Sequence, residues 1–505
     1  ALLNNNIEKI LAEKSLVSHF LGKRGHNVTI FMEGFPGMNK QPGAKESENV
    51  TNHVFILEDK AHFAEIMSKD LQILTWRTSH TSSLGIIVPW RFFGLASQGL
   101  IERNRSYVDR VLFQEKWDLV FNDAIFAPMG IVTALKTNSP LAFLSTTALQ
   151  VGHMIHRPLP HPWSYAPTFY MDSHVYDHKI FSSRLKSFLA DVEDVVITAF
   201  VDHFVTRPQF SKIHPAISLD RFFGRSKFVV LAFPQILDYV RPSTRDLVYS
   251  SGSCNGERGV SKSDALEGEI KQFVDDPASK GTIVVAFGHI VKWSQAPRRA
   301  KLNFVEALNS LEDYRIVWQF DEDRKDYSIK AHILTMAWIP QDALLHHKRT
   351  QLFISHGGLK SITETICAGV PALVIPFFAE QIRNAHLLEK SGVGLVVSKL
   401  NLTSDVVIRK SLRILEDGQK NFKFKIDRLR SFMNDQIIDS NQNAIFWTEF
   451  FLRHNGEIYE KNFFRLRATY MTFFQYLMID VLSSILILMM ICFVAIRMCF
   501  KVRRE

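Results

Sequence analysis

Between Phe353 and Ser361 the chain reads FISHGGLKS. An apolar run ends in a histidine, two glycines follow, and a cation and a hydroxyl come next. At the tip of a strand and the start of a helix, these residue types suit the holding of an anion. Free helix N–H groups and about half a positive charge from the helix dipole point outward there. Glycine lets an anion approach the backbone, and Ser361 adds a hydroxyl donor. The same residues also suit an ordinary strand-to-helix turn in which glycine serves geometry alone, and this stretch by itself leaves both readings open.

More candidates flank it. Trp338 and Gln341 stand upstream in WIPQDALLHH, while Glu364, Glu380, Gln381 and Asn384 follow downstream. A glycine turn, AFGHI, with Gly288 and His289, lies further back. Taken singly, each has a bland reading, Trp338 as core and Glu364 as a helix-surface charge.

The elements that must position these residues alternate between strand and helix. GTIVVAFG, YRIVWQF, HILTMAW, QLFISHGG, PALVIPF and GVGLVV read as short strands, with helices over Ser361 to Gly369 and Gln381 to Ser391. In the first half NVTIFM, WDLVFND and PLAFLS play the same part. Such alternation implies parallel sheets covered by helices on both faces. Repeated twice, it predicts an α/β chain of two Rossmann-like domains facing a cleft, with ligands at the carboxyl ends of the strands. The expected boundaries are a first domain over 1–235, a Pro-, Ser- and Gly-rich linker over 236–259 and a second domain over 260–452. A juxtamembrane segment over 453–471 follows.

The run 472–496, TFFQYLMIDVLSSILILMMICFVAI, carries Asp480 as its one charge. A bilayer core of roughly 30 Å needs about 20 apolar residues as a helix, so this run reads as a transmembrane helix. Asp480 comes early enough to sit at the interface or in a helix contact. Residues 497–505 form a basic tail. Arg453, Lys461, Arg465 and Arg467 balance that tail on the other side, so charge counting does not orient the span. Sequons at Asn27, Asn49, Asn104 and Asn401 fit a translocated body.

Composition narrows the classes. The 505 residues are too many for one core. The net charge of +9 is spread along the chain rather than gathered, which argues against a nucleic-acid partner. Four cysteines without a CxxC pair are too few for a disulfide framework and fit no zinc site. The opening ALLNNNIEKILAEK shows no cleavable apolar run and reads as an incomplete start.

The segment FISHGGLKSITETICAGVPALVIPFFAEQIRNA resembles the signature of the UDP-glycosyltransferases, in particular the membrane-bound UDP-glucuronosyltransferase branch of animals. WIPQDALLHH, WDLVFNDAIFAP, RGHNVTIF and the closing span with its basic tail extend the resemblance from about Gly22 to the C-terminus. It implies a GT-B arrangement with the UDP-sugar in the second half and the acceptor in the first. It also implies roles. Trp338 would stack on or near uracil, and Gln341 would bond the uridine. His356, Gly358 and Ser361 would hold the diphosphate, and Glu364 would accept from the ribose hydroxyls. Glu380, Gln381 and Asn384 would meet the sugar, and the turn at Gly288 and His289 would close over the phosphates. His289 and Lys360 depart from the pattern, which has a Ser or Thr and commonly an Asn there. Both can still pair with phosphate.

The resemblance further implies inverting, metal-free transfer, with no cofactor beyond the UDP-sugar co-substrate. An amino-terminal His acts as base, oriented by an Asp that Asp123 matches. That His falls about sixteen residues before Gly25-His26, at Ile10, in a stretch that reads as having neither strand nor histidine. His19 is the nearest alternative, and its place in SLVSHFLGKRGH reads equally as a helix-surface position. The expected function is therefore transfer of glucuronic acid, or secondarily glucose, to a hydroxyl of a small lipophilic acceptor. The rival is a UDP-sugar-binding member without chemistry. The segment from about Phe55 to Tyr107, with Trp76, Trp90, Phe92 and Phe93, together with the stretch Trp163 to Tyr176, is expected to shape a lipophilic acceptor pocket. The expected setting is the endoplasmic reticulum membrane, with a lumenal body and a cytosolic tail. A homo-oligomer is compatible with the sequence.

Overall fold

The computed structural model describes residues 2–5, 20–34, 49–56, 75–77, 87–124, 128–145, 147, 168, 176–219, 223–224, 226–240, 244–251, 254, 266–288, 291–454, 471–476 and 478–502. The first half builds a seven-stranded sheet from β1 (Leu2–Asn5), β2 (Val28–Gly34), β3 (Val50–Ile56), β4 (Val120–Asp123), β5 (Leu141–Ser145), β6 (Val229–Pro234) and β7 (Leu247–Ser251). Its order is β3-β2-β1-β4-β5-β6-β7, and every pairing is parallel. The second half builds a six-stranded sheet from β8 (Gly281–Ala286), β9 (Tyr314–Gln319), β10 (Ile333–Met336), β11 (Thr350–Ser355), β12 (Ala372–Val374) and β13 (Gly394–Val396). The order there is β10-β9-β8-β11-β12-β13, again all parallel. Both are the doubly wound order, in which the winding direction reverses between the first and fourth strands and leaves a crevice at that switch point.

Strands such as β6 (VVLAFP) and β8 (GTIVVA) are buried along their whole length. Helices on both sheet faces leave no solvent side, so the apolar pattern runs continuously instead of alternating.

Three expectations need correction. First, the start of the chain does supply a strand. β1 lies in the middle of the first sheet, with Leu2 opposite both Thr29 and Val120. The sequence hid it because LLNN is short and half asparagine. Second, the stretch 236–259 is more than a linker, since it contains β7, the edge strand of the first sheet. Third, the end of the second unit returns to the first. The helix Ser440–Arg453 packs Ala444, Ile445 and Phe451 against Phe228, Val230 and Val248. Arg24 clasps that helix through Glu449 at 2.7 Å and Gln442 at 2.8 Å.

The long helix Phe181–Phe200 is amphipathic in reverse. Ser187, Asp191 and Asp194 are buried, whereas Phe181, Leu189 and Val196 are exposed. Cys254 and Cys367 form a disulfide across a sequence separation of 113 residues. One crosslink is not a framework, but it ties the connecting segment to the helix Leu359–Ala368. The C-terminal apolar run is split. Phe473–Tyr476 form a separate turn, Met478 adopts a left-handed φ of 54°, and the long helix runs from Ile479 to Val502. Its segment Ile479–Met498 is long and apolar enough to cross a membrane, and none of it is buried against the body. Asp480 falls in its first turn.

Candidate functional site

β8 and β11 flank the switch point of the second sheet, and Ala286 lies opposite Ser355. The turns that follow these strands, at Gly288 and at His356 to Gly358, therefore emerge side by side. Gly288 takes a φ of 72°, and its carbonyl accepts from Gln319 Nε2 at 3.2 Å. His289 lies outside the described residues.

The His356 turn needs its glycines. Gly357 has a φ of 82°, and a Cβ there would meet Val374 Cγ1 at 2.7 Å. A Cβ on Gly358 would meet His356 Nε2 at 2.6 Å, so glycine makes room for the imidazole to fold over the turn. The helix Leu359–Ala368 starts directly after and directs its first N–H groups at the same spot. Asn384 holds the turn from beneath. Its Nδ2 donates to the Gly357 carbonyl at 3.0 Å, and the residue is fully buried. The sequence groups Asn384 with Glu380 and Gln381, and in the structure its amide nitrogen is committed to the turn.

Three of the expected residues converge on this helix. Gln341 Nε2 donates to Glu364 Oε2 at 2.5 Å and lies 3.5 Å from Ser361 Oγ. Lys360 reaches the other Glu364 oxygen at 3.6 Å, so its charge is partly spent on a neighbour one turn away. Trp338, in the loop before Gln341, is 54% exposed. An indole left this open is not core, which removes its bland reading.

Glu380 is buried, and its carboxylate accepts from the Leu359 backbone N–H at the helix start. Burial pushes its pKa up to about 7, against the opposing pull of those backbone bonds and of Arg383. Gln381 Oε1 accepts from the N–H groups of Phe377 and Phe378 at 2.9 and 3.2 Å. Its amide nitrogen remains for other contacts.

Asp123 ends β4 at the switch point of the first sheet and is buried. The register of β1 on β4 carries Asn5, the last residue of β1, toward Asp123. Ile10 and His19 lie outside the described residues.

The expected acceptor aromatics divide. Trp76 and Trp90 are buried in cores, 3% and 2% exposed. Trp76 stands against Phe377 at 4.6 Å and Trp293 at 5.4 Å, inside the second half. The side chain of Phe92 and residues 163–167 and 169–175 lie outside the described residues.

Sequence reasoning missed two cations beside the site, Arg383 buried and Lys399 half-buried. Arg383 pairs with Asp238 and lies over the rings of Phe233 and Tyr239 at 5.2 and 5.0 Å. Tyr249 OH donates to the same Asp238 at 2.9 Å. Lys399 Nζ donates to the carbonyls of Thr75 and Phe377, and burial lowers its pKa to about 8. Arg383 stands within the signature stretch but Lys399 does not, and each meets partners distant in sequence.

Two doubly wound sheets with a glycine-turn anion cradle at one switch point and a buried carboxylate at the other are the frame of a GT-B glycosyltransferase. The fold comparison agrees. The glycotransferase of kitacinnamycin superimposes with a TM-score of 0.59 over 89% of this chain and 98% of its own, at 14% identity. The model of the family described as "UDP-glucoronosyl and UDP-glucosyl transferase" matches residues 8–505, and the chain belongs to that family. Among curated relatives, mouse UDP-glucuronosyltransferase 1A6 is 28% identical over 97% of this chain and 88% of its own length. The rabbit UDP-glucuronosyltransferase 1A6 is 26% identical over 95% and 87%. The chain is thus a glycosyltransferase with a UDP-sugar as donor.

Proposed function

We propose that this chain transfers glucuronic acid, with glucose as the second choice, from its UDP-sugar to a hydroxyl of a small lipophilic acceptor, with inversion and without a metal. The observation that carries the donor half is the convergence of Gln341, Ser361 and Glu364 at the helix that starts from the His356 turn. Trp338 stacks on uracil, since a flat exposed indole matches a flat base. Gln341 bonds the uridine and Glu364 accepts from the ribose. His356, Gly358 and Ser361 hold the diphosphate at the helix N-terminus, and the turn at Gly288 and His289 closes over it. Glu380 and Gln381 meet the sugar hydroxyls. Glucuronic acid leads because the curated relatives quoted above are named for its transfer.

In the chemical step a base takes the acceptor hydroxyl proton and the oxygen attacks the anomeric carbon. The bond from that carbon to the diphosphate oxygen breaks, and UDP leaves with the electron pair. Asp123 acts through the base, orienting its imidazole and stabilising the charged form. Its place beside the end of β1 supports this reading. The endoplasmic reticulum, with a lumenal body and cytosolic tail, is the proposed setting. The Cys254–Cys367 disulfide supports it, because such bonds persist in oxidising compartments.

Asp123→Ala in membranes carrying the full chain tests the assignment. The expected result is loss of transfer with UDP-induced thermal stabilisation retained. Full transfer by the variant rejects the role of Asp123.

A further inference from the structure

The segment Thr75 to Arg77 belongs by sequence to the first half, between β3 and the helix Ile87–Arg103. By packing it belongs to the second. Trp76 is buried in the cluster around Trp293, Phe287 and Phe377, and its Nε1 donates to the Lys292 carbonyl at 3.2 Å. Next to it, Lys399 Nζ bonds the Thr75 carbonyl from the first half and the Phe377 carbonyl, at 2.7 Å, from the second. Phe377 is the hinge of this arrangement. Its C=O takes Lys399, while its N–H and that of Phe378 fix the Gln381 amide oxygen.

Packing alone does not explain an ammonium here. Among the described residues no carboxylate pairs with Lys399. A half-buried cation satisfied by carbonyls still loses hydration that an apolar chain of similar length would not have to give up. What a lysine adds is a reach to two carbonyls on two halves of the molecule.

We propose that Lys399 and the Thr75–Trp76 turn form a latch that orients the sugar-binding turn Phe377–Gln381, so that the acceptor-side half sets how tightly the donor's sugar is held. Lys399 and Trp76 are positioning residues that act through Phe377 on Gln381. The inference rests on the reading of Gln381 as a sugar contact.

The experiment measures the KM for UDP-glucuronic acid and UDP-glucose, kcat, and the Kd for UDP in the full chain and in Lys399→Met, Trp76→Leu and Gln381→Ala. For Lys399→Met the expected result is a KM for the better donor raised roughly tenfold, a displacement of the sugar too small to reach the nucleotide. The Kd for UDP, which lacks the sugar, stays within about twofold. An unchanged KM overturns the latch, and so does an equal loss of UDP and UDP-sugar affinity, which a general loss of fold produces. Should Lys399→Met fail to fold, Trp76→Leu must show the same split, and its absence overturns the proposal. Gln381→Ala separates the two readings. If it leaves KM unchanged, the sugar contact itself is wrong. If it raises KM while Lys399→Met does not, the latch alone is wrong.

Discussion

Replacing Glu380 with glutamine should make the protein more stable and less active, and the gain should depend on pH. Burial holds this carboxyl near 7, against 4.5 for a free one. Between those values the folded chain keeps a proton that the unfolded chain has released. Stability therefore falls as pH rises from about 4.5 and levels off above about 7, where the charged form sits buried at full cost. A difference of about 2.5 units corresponds to about 3 kcal/mol at neutral pH and shrinks to about 1 kcal/mol near pH 5. An amide keeps an acceptor for the Leu359 N–H and carries no charge, so Glu380→Gln recovers most of that cost. The entropy of unfolding per residue converts the gain into about 3 to 8 °C in Tm, the larger figure applying if the second half unfolds on its own. Thermal unfolding of the detergent-solubilised chain at about pH 7.5 and about pH 5, paired with transfer assays, reads both effects. A variant less stable than the parent at pH 7.5, or one equally stabilised at both pH values, refutes the reasoning. On the proposed role of Glu380 as a sugar contact, keeping the carboxylate at this cost is a trade of stability for function.

Three further outcomes are expected. Arg383→Ala strands the Asp238 carboxylate in the interior and should cost about 3 to 5 kcal/mol in chemical denaturation, while Asp238→Asn combined with Arg383→Met should recover most of it. Cys254→Ser should lower stability by about 2 to 4 kcal/mol, the parent falling to the variant's level under strong reductant, because the bond closes a 113-residue separation. Asn27 and Asn401 are exposed whereas Asn49 is half-buried and donates to the Gly22 carbonyl, so glycosidase treatment of the chain from a secretory host should remove glycans from the first two sites.

What could be read from the sequence follows from how local each feature is. All six strands of the second sheet were legible, since each holds a short run of apolar residues between turn or helix signals. In the first sheet β1 and β3 were not, because LLNN and VTNHVFI carry polar residues inside the strand, and β6 was not among the expected strands although VVLAFP is apolar throughout. β7 was masked by the serines and proline around it. The donor cradle was legible because its residues follow one another along a strand, a turn and a helix. Lys399 with Thr75 and Cys254 with Cys367 are created by folding alone, across 324 and 113 positions. The aromatics of the first half misled for a related reason. A tryptophan suits a pocket and a core equally well, and only packing sends Trp76 into the second half.

The central claim is that the switch point of the second sheet binds a UDP-sugar through Gln341, Ser361 and Glu364. Calorimetric titration of UDP into the full chain and into Glu364→Ala tests it most directly. The expected result is saturable binding by the parent and a loss of about 10- to 100-fold in the variant, the worth of a hydrogen bond to a charged group. Equal affinity in the two proteins, or no binding by the parent at millimolar UDP, would contradict it.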